Sequence, residues 1–369
     1  MKKKITFFIP NIDDGGIEKN LIFLSNQFSK NNYNVEVIYS RISKNIKKKL
    51  IKKILLVKIK KFFSLKMFNE RINNSINCFL YSIIKMKFQK NTIIFSMQDH
   101  VFSILLSKIK KIPCIIRIAN HPKASLKFFN NYIVYKIKLF IKIFFYQFAN
   151  LIICNSKESS HFFKKNFYIK KKIITIYNPI ISLKNKVNYK RKKNEILTIS
   201  RLENQKNLTG LIKAIHITSK KIQNIKLTIV GKGSEKQKLK KLVNDLKLNK
   251  FIEFVNFKNP HSYFKKKGIF ILNSFFEGLP NVLIEALQYK IPIISTNCQS
   301  GPNEILKKGK YGFLTKVNDE YDVAKKITYV ISNYQTAKNK ANLGYKSLFR
   351  FSLDSQFQKY KKSLKFINL

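Results

Sequence analysis

Short, mostly apolar runs alternate along this chain with longer stretches whose apolar residues recur at helical spacing. Ile5–Ile9, Val35–Tyr39, Thr92–Met97, Ile112–Ala119, Leu151–Asn155 and Ile173–Tyr177 are short and continuous, and they predict buried strands. Ile17, Leu21, Leu24 and Phe28 fall on one helical face after the loop Asn11–Gly16. Asn178-Pro179 ends this series, and the polar, Lys-rich stretch Lys184–Asn194 reads as a linker. A second series starts at Glu195. Its predicted strands are Ile196–Ile199, Lys226–Val230, Phe251–Val255, Ile269–Leu272 and Ile291–Ser295. Its helices carry Leu208, Leu211, Ile212 and Ile215, then Leu239, Leu242 and Leu246. Apolar strands alternating with helices predict parallel sheets covered on both faces, hence two α/β domains.

Phe275–Leu287 stands out from this alternation. It reads as a strand end, a turn at Gly278 and Pro280, and a helix in which Glu285 sits among Val282, Leu283, Ile284, Ala286 and Leu287. Almost any orientation of that helix leaves Glu285 partly buried, and an unpaired buried carboxylate costs roughly several kcal/mol. Glu285 is therefore either a structural acid with an internal partner or an acceptor for a ligand hydroxyl. Ligands on open parallel sheets bind outside the carboxyl ends of the strands. Arg201, Lys206, Gly231, Gly233 and Glu277 all follow predicted strand ends, so one crevice can collect them. Gly15 and Gly16 lie in a strand–loop–helix unit of the kind that presents backbone N–H groups to an anion, although no Gly-x-Gly-x-x-Gly is present. His100 and His121 each follow a predicted strand of the first series.

Composition sharpens some of this. At 369 residues and 45% hydrophobic the chain has room for two globular cores. The formal charge of +54, from 73 basic against 19 acidic residues, attracts polyanions. The joint excess of Ile, Asn, Lys and Phe also fits AT-rich coding, which moves surface positions to Lys. Basic clusters interleaved with large apolar residues run from Ser43 to Lys90 and from Tyr132 to Phe148. Charges interrupt both too often for a bilayer span, but as basic amphipathic helices both suit an anionic membrane surface. Cys78, Cys114, Cys154 and Cys298 are far apart, three of them in or beside apolar runs, which favours free thiols in a reducing compartment. The apolar run after Met1-Lys2-Lys3-Lys4 is too short for a signal peptide, so the reading is cytoplasmic and peripheral to the inner membrane face.

The combination of Arg201 and Lys206 after a strand, the Gly231-Lys232-Gly233 turn, and Glu277 with Glu285 resembles the family-4-type retaining glycosyltransferases of the GT-B fold. Gly15-Gly16-Ile17-Glu18 after the first strand adds to it, as do Gly301–Ile305 and Gly312–Leu314. The match is strongest over Glu195–Leu314 and weaker over 40–150. It implies an α/β architecture of two Rossmann-like domains facing a cleft. Residues 1–180 would form the acceptor-side domain, 181–348 the nucleotide-sugar domain, and 349–369 a helix packing back on the first domain.

The resemblance also implies roles. Arg201 and Lys206 bind the donor diphosphate, Glu285 accepts from the ribose hydroxyls, and Glu277 faces the donor sugar. Backbone groups of Gly278, Leu279, Pro280 and Asn281 lie near that sugar or its phosphate, Gly231 lies in the same site, and Gly15 and Gly16 let the first domain approach the phosphates. His121 is assigned to the donor sugar. The chain contains no Asp-x-Asp, so no metal or other cofactor is expected, and fixed cations would stabilise the leaving diphosphate instead. The expected activity is retaining transfer of a hexose or N-acetylhexosamine from a nucleotide-diphosphate sugar, UDP-linked, to a hydroxyl of a lipid-linked or cell-surface glycan. Rival readings are a nucleotide-sugar epimerase or phosphorylase of the same architecture, and a basic nucleic-acid-binding protein. Dispersed basic residues and the lack of a nucleic-acid motif speak against the last, and nucleic acid is not expected as a partner.

Overall fold

The structure is a computed structural model describing residues 3–13, 15–61, 63–119, 121, 132–168, 172–180, 189–256 and 260–367, without the side chains of Tyr132, Pro260 and His261. The chain divides into two compact units, Met1–Pro179 with Asp354–Leu369, and Ile180–Leu353.

In the first unit the strands are β1 (Lys4–Phe8), β2 (Asn11–Ile12), β3 (Asn34–Tyr39), β4 (Arg41–Ile42), β5 (Leu55–Lys58), β6 (Thr92–Ser96), β7 (Cys114–Ile118), β8 (Leu151–Cys154) and β9 (Ile173–Thr175). The helices are α1 (Gly16–Lys30), α2 (Lys44–Lys49), α3 (Glu70–Ile84), α4 (His100–Ile109), α5 (Tyr132–Tyr146) and α6 (Lys157–Asn166). Seven strands form one sheet in the order β5-β3-β1-β6-β7-β8-β9, every pairing parallel, while β2 and β4 pair apart from it. Successive side chains of a strand point to opposite faces, so Phe7 and Phe8 enter different cores. Phe7 packs with Leu21, Leu24 and Phe28 of α1, whereas Phe8 packs with Ile104, Ile116 and Phe163.

The second unit repeats the plan with β10 (Lys192–Ile199), β11 (Lys226–Val230), β12 (Ile252–Val255), β13 (Lys267–Leu272), β14 (Ile293–Thr296) and β15 (Phe313–Thr315). Its helices are α7 (Leu208–Ser219), α8 (Lys236–Asp245), α9 (Pro260–Lys266), α10 (Asn281–Gln288), α11 (Pro302–Ile305), α12 (Glu320–Ser332) and α13 (Tyr334–Lys346). The parallel sheet runs β12-β11-β10-β13-β14-β15. In both sheets the chain winds outward one way from the first strand and then the other way from its neighbour. This is the doubly wound order, and ligands bind where the winding reverses, between β1 and β6 or between β10 and β13.

The last helix, α14 (Leu353–Leu364), belongs to the first unit, and Phe349–Leu353 group with the second. Its Phe357, Tyr360 and Leu364 join the core beside Phe28. Arg117 of β7 holds it there. This residue is 1% exposed, and its Nε donates to Tyr360 Oη at 2.7 Å, while Nη2 donates to Asn178 Oδ1 at 2.5 Å and to Asn20 Oδ1 at 3.4 Å. One buried guanidinium thus ties together β7, α1, the chain after β9 and α14.

Two expectations need correction. Ser43–Lys90 is not a basic amphipathic helix: α2 ends after six residues, Lys52 and Lys53 lie in a turn, Leu55–Lys58 is an edge strand paired with Glu36–Tyr39, and α3 contains no lysine. Pairing with β3 overrides the local pattern, as sheet context commonly does. The linker reading of Lys184–Asn194 ends too late as well. Residues 184–188 lie outside the described residues, and from Lys192 the chain is already β10, paired at Lys267. That end projects polar side chains to solvent, so it carries no apolar signal.

Tyr360→Phe removes one bond to a buried charge and is expected to destabilise the protein by about 1.5–3 kcal/mol. Denaturant unfolding measures this, and an unchanged midpoint would contradict the tie.

Candidate functional site

The winding of the second sheet reverses between β10 and β13, so the loops leaving their C-terminal ends diverge. The β10 loop carries Arg201 and the one-turn helix Asn204–Lys206, and the β13 loop runs from Asn273 to Pro280 into α10. Lys206 Nζ donates to Glu277 Oε1 at 2.6 Å, and Ser274 Oγ donates to the same oxygen at 2.6 Å. Glu277 is only 6% exposed, and a buried carboxylate is tolerable only when met by partners of this kind. The backbones are stitched too. Phe275 N donates to Gln205 O at 2.9 Å, Gln205 Nε2 to Phe276 O at 2.8 Å, and Asn273 Nδ2 to Asn207 O at 3.0 Å. Asn207 holds a left-handed conformation (φ 45°), and its side chain caps α7 by accepting from Gly210 N at 3.2 Å. Arg201 stays exposed, with Nη2 donating to Gln205 Oε1 at 3.4 Å. A fixed acid, a fixed cation and an open guanidinium therefore share one loop pair.

Close backbone approaches narrow the surroundings. A Cβ on Gly231 would lie 1.9 Å from the Ser200 carbonyl oxygen, so the loop after β11 presses on the loop after β10 and tolerates no side chain there. Gly301 has φ +92°, and a Cβ on it would lie 2.6 Å from Gly278 O. Ser300 Oγ donates to that same Gly278 oxygen at 3.0 Å. Gly278, Leu279 and Pro280 are thereby buried, and Pro280 precedes the first residue of α10, half-buried Asn281. The positive end of the α10 dipole lies at this turn. Arg191 grips the other end, donating to the carbonyls of Tyr289 at 2.5 Å and Lys290 at 3.3 Å. Glu285 is half-exposed on α10. Glu285 is partly buried as expected, on the flank of α10 that turns Leu283, Ile284, Ala286 and Leu287 inward, and Glu277 in the preceding turn is the more deeply buried of the two carboxylates. Cys298 lies nearby as an un-ionised thiol, since burial and then the Glu277 charge push it up to about 12.

In the first unit the winding reverses between β1 and β6, and a cavity of about 360 Å³ opens there. Ile17, Arg71, Asp99, His100, Lys142 and Tyr146 are among the residues lining it. Asp99 sits in the left-handed region (φ 48°) before α4 and accepts from Ser75 Oγ at 2.7 Å. His100 shares a 2.7 Å hydrogen bond with Ser96 Oγ, and burial, helped by Lys142 and Arg117, pushes its imidazole down to about 3. It is a neutral ring at any ordinary pH. Gly15 and Gly16 are exposed at the start of α1, where buried Glu18 has its carboxyl raised by burial and accepts from Gln98 Nε2 at 3.4 Å. His121 is buried beyond β7 with its ring edge-on to Phe162, while its neighbours 120 and 122 lie outside the described residues.

Within the second unit the structure therefore joins Lys206 to Glu277, places Arg201 on the same loop pair, and packs Gly231 and Gly278 against backbone. Sequence reasoning missed Ser274, Gln205 and Ser300, which fix the loops, and Asp99 and Arg71 in the cavity. Asp99 was within reach, since it stands beside His100 directly after a predicted strand. Among the described residues there is no group of three His, Cys, Asp or Glu side chains suited to a metal ion.

Residues 180–347 match the family described as Glycosyl transferases group 1. The chain is 35% identical over 277 residues to an uncharacterized glycosyltransferase of Methanocaldococcus jannaschii, covering 64% of this chain and 66% of that one. It is 26% identical over 346 residues to a Campylobacter jejuni N-acetyl-D-galactosaminyltransferase whose name specifies a diphospho-undecaprenol-linked acceptor, with 92% of each chain covered. Anabaena HepE, solved with UDP and glucose, superposes with a TM-score of 0.78 at 18% identity, covering 98% of this chain and 99% of that one. Staphylococcus aureus TarM, solved with UDP and glycan ligands, gives 0.80 at 15% identity, with 100% of both covered. Residues 180–347 belong to the group 1 glycosyltransferase family, and the chain as a whole has the GT-B fold.

Proposed function

We propose that the protein transfers a hexose or N-acetylhexosamine, with retention of anomeric configuration, from a UDP-sugar to a hydroxyl of a lipid-linked glycan. The observation carrying this reading is the Lys206–Glu277 pair with open Arg201 beside it, at the winding reversal of the second sheet. As the bond from the sugar to the diphosphate breaks, negative charge gathers on the departing phosphate oxygens. Arg201 offers a fork for those oxygens, and Lys206 offers a second cation already oriented by Glu277 and Ser274. The N-terminus of α10 adds its dipole. These groups meet the leaving-group charge without a metal. Glu277, fixed by two donors on one oxygen, presents the other towards hydroxyls of the donor sugar, and half-exposed Glu285 accepts from the ribose.

The acceptor oxygen bonds to the anomeric carbon on the face the diphosphate leaves, and its proton passes to a diphosphate oxygen. No side-chain base is then required. The first-unit cavity, with Asp99, Arg71 and Lys142 at its wall, is the acceptor side of this reading. The acceptor class is supported by the name of the Campylobacter relative and by another relative, an Erwinia amylovora glycosyltransferase of amylovoran biosynthesis, 29% identical over 213 residues.

Arg201→Ala with Lys206→Ala is expected to lower the rate of sugar transfer by roughly 10²-fold or more. Because Glu277 is left buried with Ser274 alone, the pair is also expected to lower stability by about 3–5 kcal/mol, so transfer is measured where the unfolding curve shows the variant still folded. Near-normal turnover in a radiolabelled-sugar assay would remove both from the site. Glu285→Ala is expected to weaken UDP binding about tenfold, and calorimetry giving an unchanged Kd would defeat the ribose role. Transfer should continue in excess EDTA; loss restored by a divalent cation would overturn the metal-free reading.

A further inference from the structure

Helix α5 is built the wrong way round for a water-facing helix. Tyr135 and Tyr146 are buried and Leu139 and Ile143 are packed against the core of the first unit. On an ideal helix those positions lie opposite the arc shared by Ile133, Val134, Ile137, Phe140, Ile141 and Phe144. That outer arc is exposed: Ile133 by 68%, Ile137 by 54% and Phe140 by 63%. A surface helix ordinarily shows polar residues there. Two lysines of α5 stand at the margins of the arc instead, Lys136 along one edge and Lys138 along the other. Among the described residues no helix is long and apolar enough to cross a membrane, so this stripe belongs to a helix that lies along a surface.

We infer that the outer face of α5 docks on an anionic lipid bilayer, with Ile133, Ile137, Phe140 and Phe144 entering the headgroup–acyl boundary and Lys136 and Lys138 meeting lipid phosphates. An apolar stripe edged by lysines is complementary to that interface, where long basic side chains extend from a buried apolar body to the headgroups. A second copy of the chain is a poor occupant, since each copy carries a formal charge of +54. The inner side of the same helix supplies Lys142 and Tyr146 to the cavity at the winding reversal. Docking would therefore set that cavity beside the lipid headgroups, a link that rests on the lipid-linked acceptor reading, whereas the docking itself does not.

The chain has no tryptophan, so Phe140→Trp gives a single emission that reports on this helix alone. With vesicles of phosphatidylcholine containing about one-third phosphatidylglycerol, its emission is expected to shift to the blue and to be quenched by brominated acyl chains. Tyr321→Trp, exposed on α12, should show neither effect and controls for adhesion through charge alone. Ile133→Ser, Ile137→Ser and Phe140→Ser together should lower co-sedimentation with these vesicles roughly tenfold or more, with transfer to a water-soluble acceptor unchanged. Unchanged Phe140→Trp emission with vesicles, or undiminished sedimentation of the triple variant, would overturn docking. A blue shift that follows protein concentration without vesicles would overturn it too, by assigning the stripe to contact between copies. Loss of transfer to the soluble acceptor in the unmodified protein would instead count against the catalytic reading and leave the fluorescence result standing.

Discussion

A buried carboxylate between two diverging loops is the constraint around which the second unit's site is organised. Glu277 cannot sit beneath the surface unless its charge is met, and Lys206 and Ser274 meet it on one oxygen. The consequence reaches further than the pair. Lys206 is held by its own loop's one-turn helix, which in turn depends on the Gln205 and Asn207 contacts with the β13 loop. The position of the cation is therefore decided by the separation of β10 and β13, and the reversal of winding keeps space open above them. A lysine on a free loop would have to be ordered by its ligand, at a cost in side-chain entropy. Here the ordering is already done by the protein.

Arginine use tells a related story. Only six of the 73 basic residues are Arg. Arg117, Arg191 and Arg350 each direct several N–H donors to neutral oxygens inside the fold: side chains for Arg117, and backbone carbonyls of Phe264, Tyr289 and Lys290 for Arg191 and of Glu304 and Ile305 for Arg350. A lysine supplies a point charge and cannot span such acceptors. Arg201 and Arg71 differ in standing exposed at the two winding reversals. In a chain that uses Lys for most of its basic positions, Arg117, Arg191 and Arg350 stand where a planar fork spans several acceptors, while exposed Arg41 pairs only loosely with Asp13 and Glu70.

Two parallel sheets were legible from the apolar runs, because a strand buried on both faces is predominantly apolar and so announces itself. The elements that were missed have the opposite character. Leu55–Lys58 is an edge strand whose pairing partner lies nineteen residues back, counting Leu55 to Glu36, and β15 is three residues long. Neither leaves a periodic signal. Lys206, Arg201 and Glu277 were legible as residues because polar side chains after apolar strands are conspicuous, but the bond between Lys206 and Glu277 was not.

The sequence by itself determined the α/β class, the repeated strand–helix plan, the polar residues after strand ends, and the family. Those features are local: an apolar run, a glycine turn and a charged residue after a strand are all set within a few positions. Tertiary structure decided which carboxylate is buried, which of two basic segments forms a surface helix with an outward apolar stripe, and that Arg117 ties the last helix to the first sheet. Each of these turns on residues between tens and hundreds of positions apart meeting in space, and burial and pairing energies exist only once they meet.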